Sequence, residues 1–145
     1  MQVDPRGQRV SAGITTAVLV VVLITGSWEL LAAQAVVFAV GALIGLRYAP
    51  YGLIYQALIR PRIGPPRQLE DAAPPRFAQG VGLVFALVGV VGYVVGIEWL
   101  GIVATALALG AAFLNAAFGF CLGCEMYLLI RRVIPKNRSD REVPA

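Results

Sequence analysis

Charged side chains are spaced along this chain so that four long stretches contain none. Residues 10–28 form a run of 19 uncharged positions, 30–46 a run of 17, 77–97 a run of 21 and 99–124 a run of 26. A helix rising about 1.5 Å per residue needs about 20 apolar residues to cross a hydrocarbon core of about 30 Å. Runs one, three and four meet that length. The second spans about 25 Å by the same rise, and Arg47 at its end can snorkel to the interface. Backbone groups in lipid must bond internally, so the runs read as helices, and no period-two alternation suggests a barrel.

Composition agrees. Only 14% of the 145 residues are charged and 59% are hydrophobic, whereas soluble domains carry about a quarter charged residues. An ordinary soluble enzyme, a disordered tail and a small disulfide scaffold are excluded on that basis. The chain has no histidine, the commonest general base and metal ligand, and only two cysteines.

The joints between runs define the architecture. Gly26-Ser27-Trp28-Glu29 separates the first two runs and Gly96-Ile97-Glu98-Trp99 the last two. Each pairs an acid with an indole, which suits a turn at the membrane interface. All twelve basic residues lie in the N-terminal tail, the middle loop or the C-terminal tail: Arg6, Arg9, Arg47, Arg60, Arg62, Arg67, Arg76, Arg131, Arg132, Lys136, Arg138 and Arg141. An even number of crossings puts those three regions on one side, and the positive-inside rule makes that side cytoplasmic. The expectation is an all-α, multi-pass protein of four transmembrane helices in two hairpins, with both termini cytoplasmic. The competing reading of run one, a cleaved signal peptide ending at Ala32-Ala33-Gln34-Ala35, would break this charge pattern.

The hairpins resemble each other. A shift of 71 residues sets Trp28 on Trp99, Gly52 on Gly123 and Leu58-Ile59-Arg60 on Leu129-Ile130-Arg131; a shift of 67 sets Arg9 on Arg76. Both halves enter from the same side, which makes the repeat parallel. The expected organisation is one membrane domain over 1–145, with repeat one at about 10–60 and repeat two at about 77–132. A proline-rich linker at 61–76 runs extended over the membrane surface, and 133–145 is a basic tail. Each hairpin ends in a short amphipathic cytoplasmic segment, 51–60 and 122–132. Small residues mark helix contacts: Gly82, Gly89 and Gly96, the pairs Gly41/Gly45, Gly92/Gly96 and Gly119/Gly123, and the series Ala104, Ala108, Ala112 and Ala116. One such seam could serve a homodimer.

The one constellation with chemistry is Phe118-Gly119-Phe120-Cys121-Leu122-Gly123-Cys124-Glu125. Cys121 lies 22 residues beyond Trp99, about 33 Å along a straight helix, at the cytoplasmic edge of the membrane. That compartment is reducing and favours a dithiol. On a regular helix, cysteines three apart have Cβ atoms about 5–6 Å apart, slightly long for a disulfide. A helix start at Gly119 or Cys121 would loosen that geometry and favour the thiolate. Glu125, four residues after Cys121, opposes a thiolate when charged and can relay a proton when neutral.

Four readings of the pair stay open. Cys121 and Cys124 are a redox or sulfur-carrying dithiol, with Glu125 as proton relay; or they only pack between helices. They supply half of a metal site completed by Glu125 or a second protomer; or they are lipid-acylated. No cofactor is expected, and the partners expected are the bilayer and no nucleic acid. Asn115 points about 120° away from Cys121 on a regular helix and reads as an interhelical hydrogen bond. No ionisable residue sits in mid-membrane, which argues against a proton-coupled pump or ion channel.

Three stretches carry a family resemblance: Val3-Asp4-Pro5-Arg6, Pro74-Pro75-Arg76-Phe77-Ala78-Gln79-Gly80, and 113–125 ending in Phe-Cys-Leu-Gly-Cys-Glu. Over nearly the whole chain it resembles a bacterial integral-membrane family catalogued as domain of unknown function 4395. The resemblance implies residence in the bacterial inner membrane. Through an association with thiosulfate sulfurtransferases and thioredoxin-like proteins it also implies sulfur or thiol chemistry at Cys121 and Cys124, with such a protein as cytoplasmic partner. A different class of function, a packing or scaffold subunit or half of a dimeric permease for a small solute, fits the repeat and glycine seams equally.

Overall fold

A computed structural model describes residues 2–3, 5–64, 70–71 and 73–133. Helix α1 is Pro5–Thr25, and α2 is Trp28–Ala39 continued by a π turn over Val40–Ile44. A 3-10 turn at Leu46–Tyr48 leads to α3 (Pro50–Ile54), a second π turn (Tyr55–Ile59) and α4 (Arg60–Ile63). Then come α5 (Ala73–Val95), α6 (Glu98–Phe118) and α7 (Leu122–Val133). Gln2–Val3 and Glu70–Asp71 form a two-residue antiparallel ladder.

Among the described residues, three helices are long and apolar enough to cross a membrane: Arg6–Thr25, Ala73–Val95 and Glu98–Phe118. The Trp28–Ile44 helix is apolar but shorter, as the second run predicts. Part of the 61–76 segment differs from the extended linker expected. Arg60–Ile63 is helical and α5 already starts at Ala73, because Pro61, Pro74 and Pro75 all fall in first turns, where a missing N–H costs nothing. The linker positions 65–69 and 72 and the tail 134–145 lie outside the described residues.

Both hairpin joints use one local design. Gly26 and Gly96 take positive φ (65° and 86°), ending α1 and α5. Glu29 and Glu98 then stand in the first turns of α2 and α6, where an acid faces the positive end of the helix dipole. Ser27 caps α2, its Oγ accepting the Leu30 N–H at 3.2 Å. Trp28 and Trp99 are exposed beside these turns.

Helices α1, α2, α5 and α6 close into a ring in which α1 packs on α6, α6 on α5, α5 on α2, and α2 on α1. The α2–α5 seam is antiparallel. A Cβ placed on Gly89 meets Leu31 at 2.7 Å, one on Gly82 meets the Phe38 ring at 2.9 Å, and one on Gly41 meets Gln79 at 3.0 Å. Helix α2 therefore lies alongside much of α5 despite its length. Inside the ring, Leu19, Val22, Leu31, Ala35, Phe38, Ala86 and Ala108 form the core. Of the expected small-residue contacts, Gly82, Gly89, Ala104 and Ala108 do face neighbours, whereas Gly96 and Gly45 end helices instead.

Arginines fasten the end opposite the two tryptophan turns. Arg9 Nη2 donates to the Ala116 and Ala117 carbonyls, both at 3.3 Å, Arg76 Nη2 to the Ala42 carbonyl at 2.9 Å, and Arg6 Nη2 to the Gly64 carbonyl at 2.9 Å. Carbonyls at helix C-termini lack intrahelical partners and carry the negative end of the dipole, so cations belong there.

A buried amide of α2 meets a tyrosine of α3. Tyr51 OH donates to Gln34 Oε1 at 2.6 Å, and Gln34 is 1% exposed. Burial pushes the Tyr51 phenol above its ordinary pKa. Gln34 Nε2 has no partner among the described residues, so the Tyr51 hydroxyl is what anchors this amide. Tyr51→Phe is expected to cost about 1–3 kcal/mol, the cost of orphaning a buried polar group, read as a lower melting temperature in detergent micelles. A melting temperature unchanged from wild type would show that water already serves Gln34.

Candidate functional site

The site begins where α6 stops. Gly119 adopts the left-handed conformation (φ 67°, ψ 15°) and its N–H bonds the Asn115 carbonyl at 3.0 Å; the Phe120 N–H reaches the Leu114 carbonyl at 3.3 Å. A left-handed glycine ends a helix without the clash a Cβ would bring. The chain turns through Phe120 and restarts as α7 at Leu122.

Cys121 stands just before α7 as its N-cap. Its carbonyl accepts the Glu125 N–H at 3.0 Å, the first bond of the new helix, and its Sγ accepts the Cys124 N–H at 3.1 Å. Cys124 lies in the first turn, and the two sulfurs are joined as a disulfide with Cα atoms 5.1 Å apart. Cys121 stands just before the helix and Cys124 in its first turn, and this placement brings the two sulfurs together. An N-cap sulfur faces unpaired amides and the positive end of the dipole, an arrangement that favours its thiolate once reduced.

Helix α7 is seated on the start of α5. A methyl placed on Gly123 would lie 2.5 Å from Ala78 Cβ and 2.6 Å from Ala78 Cα. The Phe77 and Tyr127 rings pack with centroids 5.7 Å apart. Arg131 donates to Tyr127 OH at 2.9 Å and lies 5.7 Å over its ring. The Arg9 side chain runs within 3.8 Å of a Cβ placed on Gly119, which brings a cation to the turn before Cys121.

Cys121 also lines a cavity of about 260 Å³ within the bundle. Its walls come from α1, α2, α5, α6 and the first turns of α7 and include Phe38, Phe85 and Leu107. Its polar lining is Gln8, Thr15, Gln79 and Asn115.

Of the residues singled out from sequence, Cys121 and Cys124 come together. Glu125 follows them on α7 with an exposed side chain and is not among the cavity residues. Asn115 is a correction: it shares the cavity with Cys121 because the break at Gly119 removes the continuous helix on which the 120° separation was reckoned. Sequence reasoning did not link Gln8, Thr15, Gln79 or Arg9 to the cysteines. They lie far from the cysteines in sequence, and no local pattern links them. Among the described residues no three His, Cys, Asp or Glu side chains cluster as a metal would need.

A family model described as "Domain of unknown function (DUF4395)" matches residues 3–132. Comparison with curated proteins and with solved structures finds no match.

Proposed function

The chain belongs to the DUF4395 family, and from that premise and the cysteine geometry we propose that it is a membrane-embedded thiol–disulfide exchange protein. The observation that carries this is the bonded Cys121–Cys124 pair, with the Cys124 N–H on the Cys121 sulfur at a helix start. Such a pair interconverts between disulfide and dithiol without rebuilding the fold. A thiolate of a partner dithiol attacks the disulfide, forming a mixed disulfide and releasing one cysteine as thiolate. The partner's second thiol then displaces the mixed disulfide, leaving Cys121 and Cys124 reduced and the partner oxidised. In the reverse direction Cys121, held by the amide, is the nucleophile and Cys124 the resolving thiol. Glu125, exposed one turn beyond Cys121, is the proposed proton relay to water.

The setting proposed is the bacterial inner membrane, crossed four times with both termini cytoplasmic, and the partner a cytoplasmic thioredoxin-like protein or sulfurtransferase. The clustering of Arg6, Arg9 and Arg76 at one end supports this orientation. A parallel repeat is supported by reciprocity: Arg9 of the first half holds carbonyls that end α6, and Arg76 of the second half holds a carbonyl that ends α2.

Trapping tests the exchange. Cys124→Ser is expected to accumulate a mixed disulfide between Cys121 and a thioredoxin-like protein in non-reducing gels, while Cys121→Ser gives none. Thiols that a maleimide labels only after denaturation, in protein treated with dithiothreitol, would sink the proposal and favour packing cysteines.

A further inference from the structure

We propose that the cavity beside Cys121 binds a lipid-soluble quinone, and that the reduced Cys121–Cys124 pair passes its electrons to that ring. The inference rests on the thiol–disulfide reading above and names the second substrate of the same site.

Four observations select this class of ligand. The cavity lies inside the bundle with Cys121 in its wall, so a molecule reaching the sulfur from this side comes through an apolar environment. Its lining contains no carboxylate, ammonium or guanidinium, which leaves no counter-charge for a nucleotide or flavin phosphate and suits a neutral ligand. At about 260 Å³ it is smaller than the roughly 300–1,000 Å³ of drug-sized sites, and it suits a ring headgroup with its tail outside. Leu107, Leu122 and Met126 line the cavity and are also 56%, 37% and 46% exposed. They give it an apolar rim through which an isoprenoid tail can leave into lipid.

The polar lining fits the same ligand. Gln8, Gln79 and Asn115 carry amide N–H donors and Thr15 a hydroxyl, and a quinone presents two carbonyl acceptors across its ring. Donors aimed at those oxygens stabilise the negative charge that develops as the ring is reduced.

The step balances without another reactant. Both thiols are oxidised and an S–S bond forms between Cys121 and Cys124. The quinone accepts the electron pair, and its two carbonyl oxygens take up the equivalent of the two protons that the thiols give up, forming the quinol.

The test uses the full chain in phosphatidylglycerol–phosphatidylethanolamine nanodiscs, reduced with dithiothreitol, desalted and kept anaerobic. Decylubiquinone and menadione are the probes, and remaining thiols are counted with a maleimide. The expected result is loss of two thiols per quinone reduced, and oxidation by quinone at least tenfold slower in Ala111→Phe, which fills the cavity. Oxidation of the same variant by glutathione disulfide should match wild type, which also reports that it folds. Asn115→Leu, smaller in its disturbance, should slow the quinone reaction and spare the glutathione reaction likewise. Cycling with glutathione but not with either quinone, or quinone rates indifferent to both substitutions, would overturn the quinone site and leave the exchange reading standing. A pair that cycles with neither oxidant sinks both.

Discussion

Gly123→Val is expected to lift α7 off α5 and abolish thiol exchange while the four-helix ring stays assembled. A Cβ at Gly123 already falls 2.5 Å from Ala78 Cβ and 2.6 Å from Ala78 Cα. Backbone cannot rotate aside, so α7 must move. Overpacking of this kind costs about 1–3 kcal/mol or more, enough to unseat a helix that rests on α5 through the Phe77–Tyr127 contact and the close approach at this glycine. Because Cys124 stands in the first turn of α7 and Cys121 caps it, their geometry is lost with the seat. The expected readouts are mixed-disulfide trapping reduced at least tenfold and a wild-type melting temperature for the bundle. Normal trapping in Gly123→Val would mean that α7 sits elsewhere.

Gly92→Leu is expected to have the larger effect on stability and to prevent the second hairpin from closing. The three nearest atoms a Cβ would meet there are all backbone: Gly101 N at 2.6 Å, Gly101 Cα at 3.1 Å and the Ile97 carbonyl oxygen at 3.2 Å. The approach lies beside the joint at Gly96, where α5 and α6 cannot separate without opening the turn. A loss of about 3 kcal/mol or more is the expected scale for a clash against backbone, seen as aggregation or failure to insert. Gly110→Ala is the control, because nothing lies within 4 Å of a Cβ at that position, and it should melt like wild type. Equal behaviour of the two variants would show that α5 and α6 do not meet at Gly92.

Much of the helical layout was legible in the chain because lipid tolerates so few local solutions. The uncharged runs mark the long helices, and Gly26 and Gly96 mark the joints, since backbone in hydrocarbon has to be helical and a left-handed residue ends a helix. The cysteine motif was placed near a helix end, yet its local geometry was left open. Whether Cys121 and Cys124 share a helix face or straddle a helix start depends on one residue, Gly119, whose positive φ no periodicity reports. The prolines misled for a related reason. Pro61, Pro74 and Pro75 read as helix breakers along a linker, while in first turns they are compatible with helix.

The amino-acid sequence alone determined that this polypeptide is helical and membrane-like and that its cations gather where its hairpins begin and end, because hydration of charge and of backbone amides is decided residue by residue. Only the tertiary structure decided which side chains surround the sulfur. Arg9 meets Ala116 across 107 positions, and Gln8, Gln79 and Asn115 converge on the cavity of Cys121. Those approaches follow from which helix lies against which, a matter of close packing between surfaces that no local window of sequence contains.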